Sequence, residues 1–203
     1  MKVNTIRLRV VLGSLAILLP WIVAFLAGKF PASISATYYL PQCITPFMGI
    51  LVSASVLLMC YKGYDLQDDI ILCLSGIMGL GICLFPTYTD TSEFVGTFQV
   101  PVAVSSNIHN ISAFIFFALL SYNSFFLFTK GNNNPTRNKK IRNIIYRICA
   151  IGMLASFLIL LLPAFYIQVW LVETIALFFF GVSFLTKADV FPFLFCDTPY
   201  TDD

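Results

Sequence analysis

The stretch KGNNNPTRNKKIRNIIYR, Lys130 to Arg147, carries half of the chain's twelve lysines and arginines. An apolar run, Asn110–Phe128, precedes it, and a second, Ile144–Leu162, begins within its last residues. A bilayer-crossing helix needs about 20 mainly apolar residues, and cytoplasmic loops of membrane proteins collect basic ones. The stretch therefore reads as a cytoplasmic connection between two membrane helices. Working outward, Val10–Ala27, Cys43–Tyr61, Ile70–Phe85 and Ile167–Leu185 supply four more apolar runs. Six spans put Lys2, Arg7, Arg9, Lys62, the basic stretch and Lys187 on one side, and leave Lys29 alone on the other. The predicted fold is an all-α polytopic integral membrane protein, six transmembrane helices in one bundle, with both termini cytoplasmic. Residues 1–203 form a single domain.

Composition points the same way. The chain is 59% hydrophobic and 11% charged, against about 25% charged in soluble domains, and its mean hydropathy is +0.87. A net charge of +2, gathered at membrane edges instead of on one face, gives no reason to expect nucleic acid as a partner. Cys43, Cys60, Cys73, Cys83, Cys149 and Cys196 are scattered without a CxxC pair, so they suggest small apolar fillers and no metal site. Cys43 and Cys83 both fall near the outer edge, where a disulfide is a weaker option. The first run follows Lys2, Arg7 and Arg9 but exceeds a secretory h-region of ~7–15 residues, so it is expected to stay as an uncleaved span. Cleavage after Ala27 would leave five spans in the same orientation.

The loops acquire sides from this threading. Lys62–Asp69, Lys130–Asn143 and the tail from Thr186 lie inside; Gly28–Gln42, Thr87–Asn107 and a short turn at Pro163–Tyr166 lie outside. Gly131-Asn132-Asn133-Asn134-Pro135 reads as a flexible turn, and Phe191-Pro192-Phe193-Leu194-Phe195 as an aromatic anchor at the inner interface. Ile70–Phe85 covers only about 24 Å at 1.5 Å per residue, short for a span. It carries Ser75, Gly79 and Cys83 at steps of four, with Gly76 and Gly81, a spacing that lets helix backbones approach closely; a substrate groove lined by backbone is the alternative.

Two ionisable side chains fall within or at the edge of the apolar zone on the outer side: His109, opening the fourth span, and Glu173, about two turns into the sixth. Such groups are costly in lipid, face the bundle interior, and mark functional sites. His109 shares a helical face with Ser105, Ser106, Ser112 and Ala113; Glu173 shares one with Ala176, Phe180, Ser183 and Lys187. A contact between His109 and Glu173 would make an acid/base couple or a proton-sensitive latch. The alternative reading has His109 as an interfacial helix start and Glu173 as a satisfied interhelical group. The first outer loop adds Ser33-Ile34-Ser35-Ala36-Thr37-Tyr38-Tyr39. Ser33, Ser35, Tyr38 and Tyr39 are candidate head-group ligands, although tyrosines also belong to any interfacial aromatic belt. Ser35 with His109 as base is a candidate nucleophile, unsupported by any GxSxG elbow. With one histidine in the chain the usual His-rich zinc sphere cannot be assembled, which disfavours metal hydrolysis and leaves only one His with carboxylates as a metal option; no cofactor motif is present. Asn110-Ile111-Ser112 matches a glycosylation sequon but begins a membrane helix. On the inner side Asp65, Asp68 and Asp69 face Arg142 and Arg147, which predicts a charge network fixing helix ends. Lys139, Lys140 and Arg142 also suit an anionic lipid.

Several strings resemble the DUF998 family of bacterial six-span membrane proteins. They are Ser33-Ile34-Ser35-Ala36 with Tyr38-Tyr39, Tyr61-Lys62-Gly63-Tyr64-Asp65 with Asp68-Asp69, and Leu84-Phe85-Pro86-Thr87. His109, Phe128-Thr129, Arg142-Asn143 with Tyr146-Arg147, and Glu173 with Gly181-Val182-Ser183 follow in order. That family brings no activity to carry over. The six-span layout with His on span four and Glu on span six is more faintly similar to the Frag1/DRAM/Sfk1 group, which implies lipid handling or a response to membrane stress. Together these give a bacterial inner-membrane protein that binds or handles a lipid or other amphiphile at an outward-facing polar pocket. A lipid-modifying hydrolase or transferase using His109 as base, and a small-solute transporter, are the alternatives. Membrane lipids are the expected partners, with a second copy of the chain or another membrane protein left open.

Overall fold

The computed structural model describes residues 5–131, 136–160 and 168–191. The turns at Asn132–Pro135 and Pro163–Tyr166, Cys196 and the aromatic run from Pro192 lie outside them. The architecture is all-helical: α1 Thr5–Ala27, a 3-10 turn Ser35–Tyr39, α2 Pro41–Met59, α3 Leu66–Leu84, α4 Val102–Tyr122, α5 Arg137–Leu160 and α6 Val169–Lys187. All six helices are long and apolar enough to cross a membrane. Their outward faces carry large apolar side chains such as Leu18, Phe25, Val56, Ile77, Ile111, Ile151 and Phe178, a surface that water does not tolerate at this extent. Helices suit this role because each satisfies its own backbone hydrogen bonds.

Local chemistry sets the helix ends. Gly28, at φ +67°, takes the left-handed conformation that stops α1. Pro41 begins α2, where its missing N–H costs nothing. Asp65 caps α3 by accepting from the Asp68 amide at 3.1 Å, and Asp68 and Asp69 lie in its first turn, where acidic groups suit the helix dipole. With that cap α3 runs for 19 residues, about 28 Å; the short third span expected from Ile70 is corrected by one turn that the acidic residues had masked. Likewise α5 starts at Arg137, so the second half of the basic stretch is helix, and α4 starts at Val102, placing His109 two turns inside it. The loop before α4 holds a small hairpin, β1 Phe94–Val95 against β2 Val100–Pro101, which the sequence pattern did not announce. Past Tyr122 the helix widens into a π turn, Asn123–Leu127.

The helices pack in chain order: α1 on α2, α2 on α3, α3 on α4, α4 on α5, α5 on α6, and α6 back on α1. The result is a closed ring. Small residues set the seams. A Cβ on Gly76 or Gly79 of α3 would run into Ser55 of α2, and one on Gly81 would meet Ser112 Oγ of α4 at 2.7 Å. The small-residue stripe is therefore a packing device. Cys43 and Cys83 are buried free thiols, as filler positions require.

At the end of the ring where α1 begins and α6 stops, Arg9 donates to the Lys187 carbonyl at 3.1 Å and to the Tyr61 hydroxyl at 2.6 Å. Large side chains fill the axis there: Tyr61, Phe128, Tyr146, Met153, Phe180 and Phe184 are all buried. The same end carries the charge network, with partners other than those expected. Lys130 joins Asp65 at 2.8 Å and Asp68 at 2.7 Å, and Lys62 joins Asp69 at 2.8 Å. Arg142 pairs with Asp189 at 2.5 Å, and Arg147 lies over the Phe125 ring. The basic stretch contributes through Lys130 because that residue, three positions past the π turn, reaches the carboxylates at the start of α3.

This clasp carries a pH signature. Lys130 hydrogen bonding, and then the Asp68 amide, hold the Asp65 carboxyl below its ordinary 3.8, while the two carboxylates hold Lys130 above its ordinary 10.5. A depressed acid contributes stability above its unfolded value and loses it as pH falls through the folded one; a raised base contributes below its unfolded value and loses it as pH rises through the folded one. The thermal midpoint of wild type minus that of Lys130→Ala is therefore expected to be flat from about pH 4 to pH 10 and to shrink on both sides. A difference independent of pH would mean that the clasp contributes through packing alone.

Candidate functional site

At the opposite end the ring is not filled. A cavity of about 600 Å³ opens inside it, lined by all six helices and by the two loops above them. Its floor and walls are apolar: Leu19 from α1, Phe47 and Leu51 from α2, Ile82 from α3, Phe116 and Phe117 from α4, Phe157 from α5 and Leu177 from α6. The Phe116 and Phe180 rings meet edge to face at 6.3 Å, closing the axis below. Polar groups gather at the mouth: Ser33, Ser35, Thr87, Tyr88, His109, Asn110 and Glu173. A volume of this size lies within the ~300–1,000 Å³ of small-molecule sites, and an apolar body with a few convergent polar groups is their usual composition.

The first loop forms the roof, and Glu173 holds it there. Ser33 Oγ donates to both Glu173 oxygens at 3.0 Å, the Ile34 amide donates to Oε2 at 2.5 Å, and Ser35 Oγ donates to Oε1 at 3.1 Å. Every one of these contacts donates to the carboxyl, which suits an acceptor-only carboxylate. A second tie runs from the Trp170 amide to the Ala32 carbonyl at 3.0 Å, and Trp170 packs on Phe30 and Trp21. Tyr39 then joins this roof to the second loop, donating to the Thr87 carbonyl at 2.6 Å. Partial burial, and then the neighbouring Tyr38, push its phenol above the ordinary range, so it stays a donor.

His109 occupies the facing wall. Its Nδ1 lies 2.9 Å from the Phe85 carbonyl and 3.2 Å from that of Ile82. Ile82 lies in the last turn of α3 and Phe85 caps it, where carbonyls have no partners within the helix. Carbonyls only accept, so Nδ1 carries the hydrogen. Ser105, one turn earlier on α4, donates to the Pro86 carbonyl at 2.8 Å. The beginning of α4 therefore caps the end of α3.

The structure brings Ser33, Ser35, His109 and Glu173 to one cavity but does not join the histidine to the glutamate. Among the described residues each is committed elsewhere, Glu173 to the roof and His109 to α3, so the expected direct couple is replaced by two separate supports. Ser35 donates to Glu173 and not to His109, which removes the Ser–His arrangement. Tyr38 and Tyr39 brace the roof: Tyr38 packs against the core, and neither lines the cavity. Tyr88 and the phenylalanine lining carried no signal in the sequence, and Thr87 and Asn110 stood out there only in a family-like string and a sequon, because a ring axis exists only once six helices are assembled. Among the described residues, no three His, Cys, Asp or Glu side chains gather closely enough to hold a metal ion.

Comparison with protein-family models, with curated proteins and with solved structures finds no match. The cavity must be read from its own chemistry.

Proposed function

We propose that this chain is an integral protein of a bacterial inner membrane, its basic end toward the cytoplasm, that binds a lipid or other amphiphile in the cavity between its six helices. The observation that carries this reading is the division of the cavity into an apolar, phenylalanine-lined body and a polar mouth at one end. An amphiphile has the same division. Its chain would lie along the ring axis against Phe47, Phe116, Phe117 and Phe157, and its head group would meet Ser33, His109 and Asn110 below the roof. The orientation rests on the basic residues, which collect on the cytoplasmic side of membrane proteins. Hydrolysis or group transfer would require a nucleophile within reach of His109, a role for which Ser35 is poorly placed while it donates to Glu173.

The test is to fill the cavity. Ala113 lines it one turn beyond His109. Native mass spectrometry of protein released from nanodiscs should find a retained lipid on wild type. Ala113→Trp should lower its retention at least tenfold, a loss of about 1.4 kcal/mol or more, without changing the thermal midpoint by more than a few degrees. Equal lipid retention by wild type and by a folded Ala113→Trp would remove the proposal.

A further inference from the structure

We infer that the head group taken by this cavity is uncharged and donates a hydrogen bond, as the hydroxyl of an acylglycerol does, and that His109 Nε2 is the acceptor that selects it. The inference rests on the amphiphile reading above and narrows it to one class of ligand.

Three observations lead to it. First, the residues lining the cavity include no lysine or arginine. A phosphate or carboxylate brought there would leave water without a counter-charge and would face Glu173, a costly transfer. Second, Glu173 is occupied. Its two oxygens already accept from Ser33, Ile34 and Ser35, so few acceptor positions remain for a cationic head group to bond. Third, the imidazole has one open nitrogen. Nδ1 is turned to the carbonyls of Ile82 and Phe85 and must donate to them. The edge left for the cavity bears Nε2, which in the neutral ring is an acceptor with no partner among the described residues. His109 is only 4% exposed, so bulk water does not compete freely for that lone pair. A hydroxyl hydrogen satisfies it, whereas a phosphate oxygen or a methyl ether leaves it stranded.

The hydroxyl need not act alone. Asn110 and Tyr88 lie at the same mouth and could meet a second hydroxyl, which favours a glycerol head group over a simple long-chain alcohol. A single acyl chain suits the cavity volume of about 600 Å³ better than two, being comparable to one drug-sized ligand.

The experiment uses the full chain in detergent micelles at about pH 8, above the ordinary imidazole range. Tritiated 1-monoolein is the binding ligand. Competitors are unlabelled monoolein, 1-oleoyl-lysophosphatidate, oleylamine, and monoolein with both hydroxyls methylated. Monoolein should compete about tenfold better than the methylated lipid, the effect of one stranded hydrogen-bonding group. It should also compete better than lysophosphatidate, whose phosphate finds no counter-charge in the cavity, and than oleylamine, whose ammonium finds the Glu173 oxygens already bonded. His109→Leu should bind monoolein about tenfold more weakly and lose the preference. If His109→Leu fails to fold because the end of α3 is uncapped, the methylated competitor on wild type tests the same contact. Equal or better competition by lysophosphatidate, oleylamine or the methylated lipid overturns the inference. That result leaves the amphiphile reading standing, provided Ala113→Trp still abolishes binding. Monoolein bound equally by wild type and a folded Ala113→Trp would remove the amphiphile reading itself.

Discussion

Replacing Glu173 by alanine is expected to destabilise the protein by about 2–4 kcal/mol and to free the roof over the cavity. Interhelical hydrogen bonds within membranes average only ~0.6 kcal/mol, because the unfolded chain finds other partners in lipid. Glu173 differs in kind. Removing it strands two hydroxyls and the Ile34 amide at once, and a main-chain donor fixed in a 3-10 entry has few alternatives. Glu173→Gln should cost about half as much: the carboxamide keeps one acceptor oxygen but turns an N–H₂ toward a donor. Two readouts check this. Unfolding in mixed micelles should order wild type, Gln and Ala. Limited proteolysis at Lys29, beside the roof, should accelerate in the same order. An Ala variant with wild-type stability and an unchanged cleavage rate would mean that Trp170, through Ala32 and Phe30, holds the roof without Glu173.

The second large effect is expected at the seam where the ring closes. Gly13 of α1 and Gly181 of α6 lie backbone to backbone. A Cβ on Gly13 would fall 2.8 Å from the Gly181 carbonyl oxygen, and one on Gly181 would fall 2.7 Å from that of Gly13. Neither oxygen can yield without shifting a helix. Gly181→Leu should therefore cost about 3 kcal/mol or more, at the top of the range for overpacked interiors, and should open the ring between its first and last helices. Because the cavity depends on that closure, ligand retention should fall with it. Gly49 in α2 is the internal control. Nothing lies within 4 Å of a Cβ there, so Gly49→Ala should be neutral or stabilise by up to about 1 kcal/mol through its higher helix propensity. Destabilisation by Gly49→Ala equal to that by Gly181→Leu would show that glycine flexibility, not close approach, is what the helices need.

The closed ring also explains why His109 and Glu173 were legible as special without their roles being legible. An imidazole and a carboxylate in apolar helices stand out in any reading of the chain, since few other ionisable groups fall within the spans. What each one bonds depends on neighbours tens of residues away: Ile82 and Phe85 for the histidine, Ser33 to Ser35 for the glutamate. Polarity within an apolar run says that a partner must exist. It does not say which of several nearby carbonyls and hydroxyls supplies it, because spans four and six approach the same mouth from opposite walls. The basic-end network misled for a related reason. Asp68 and Arg142 fall at the same end of the bundle, but that is a coarse coordinate, and Lys130 stands closer, bonding Asp65 and Asp68 directly.

Run lengths and local residue types suffice to count the helices, to locate the small-residue faces on α3 and to give the chemical character of both ends, because a bilayer-sized helix demands them along one stretch of chain. The order of packing, the unfilled half of the ring axis and the division of labour between Glu173 and His109 were decided by tertiary structure alone. A cavity is the absence of side chains among six segments at once, and no window along the chain contains that information. Phe180 and Phe184 plug one half of the axis and leave the other open only because helices distant in sequence set where their rings can reach.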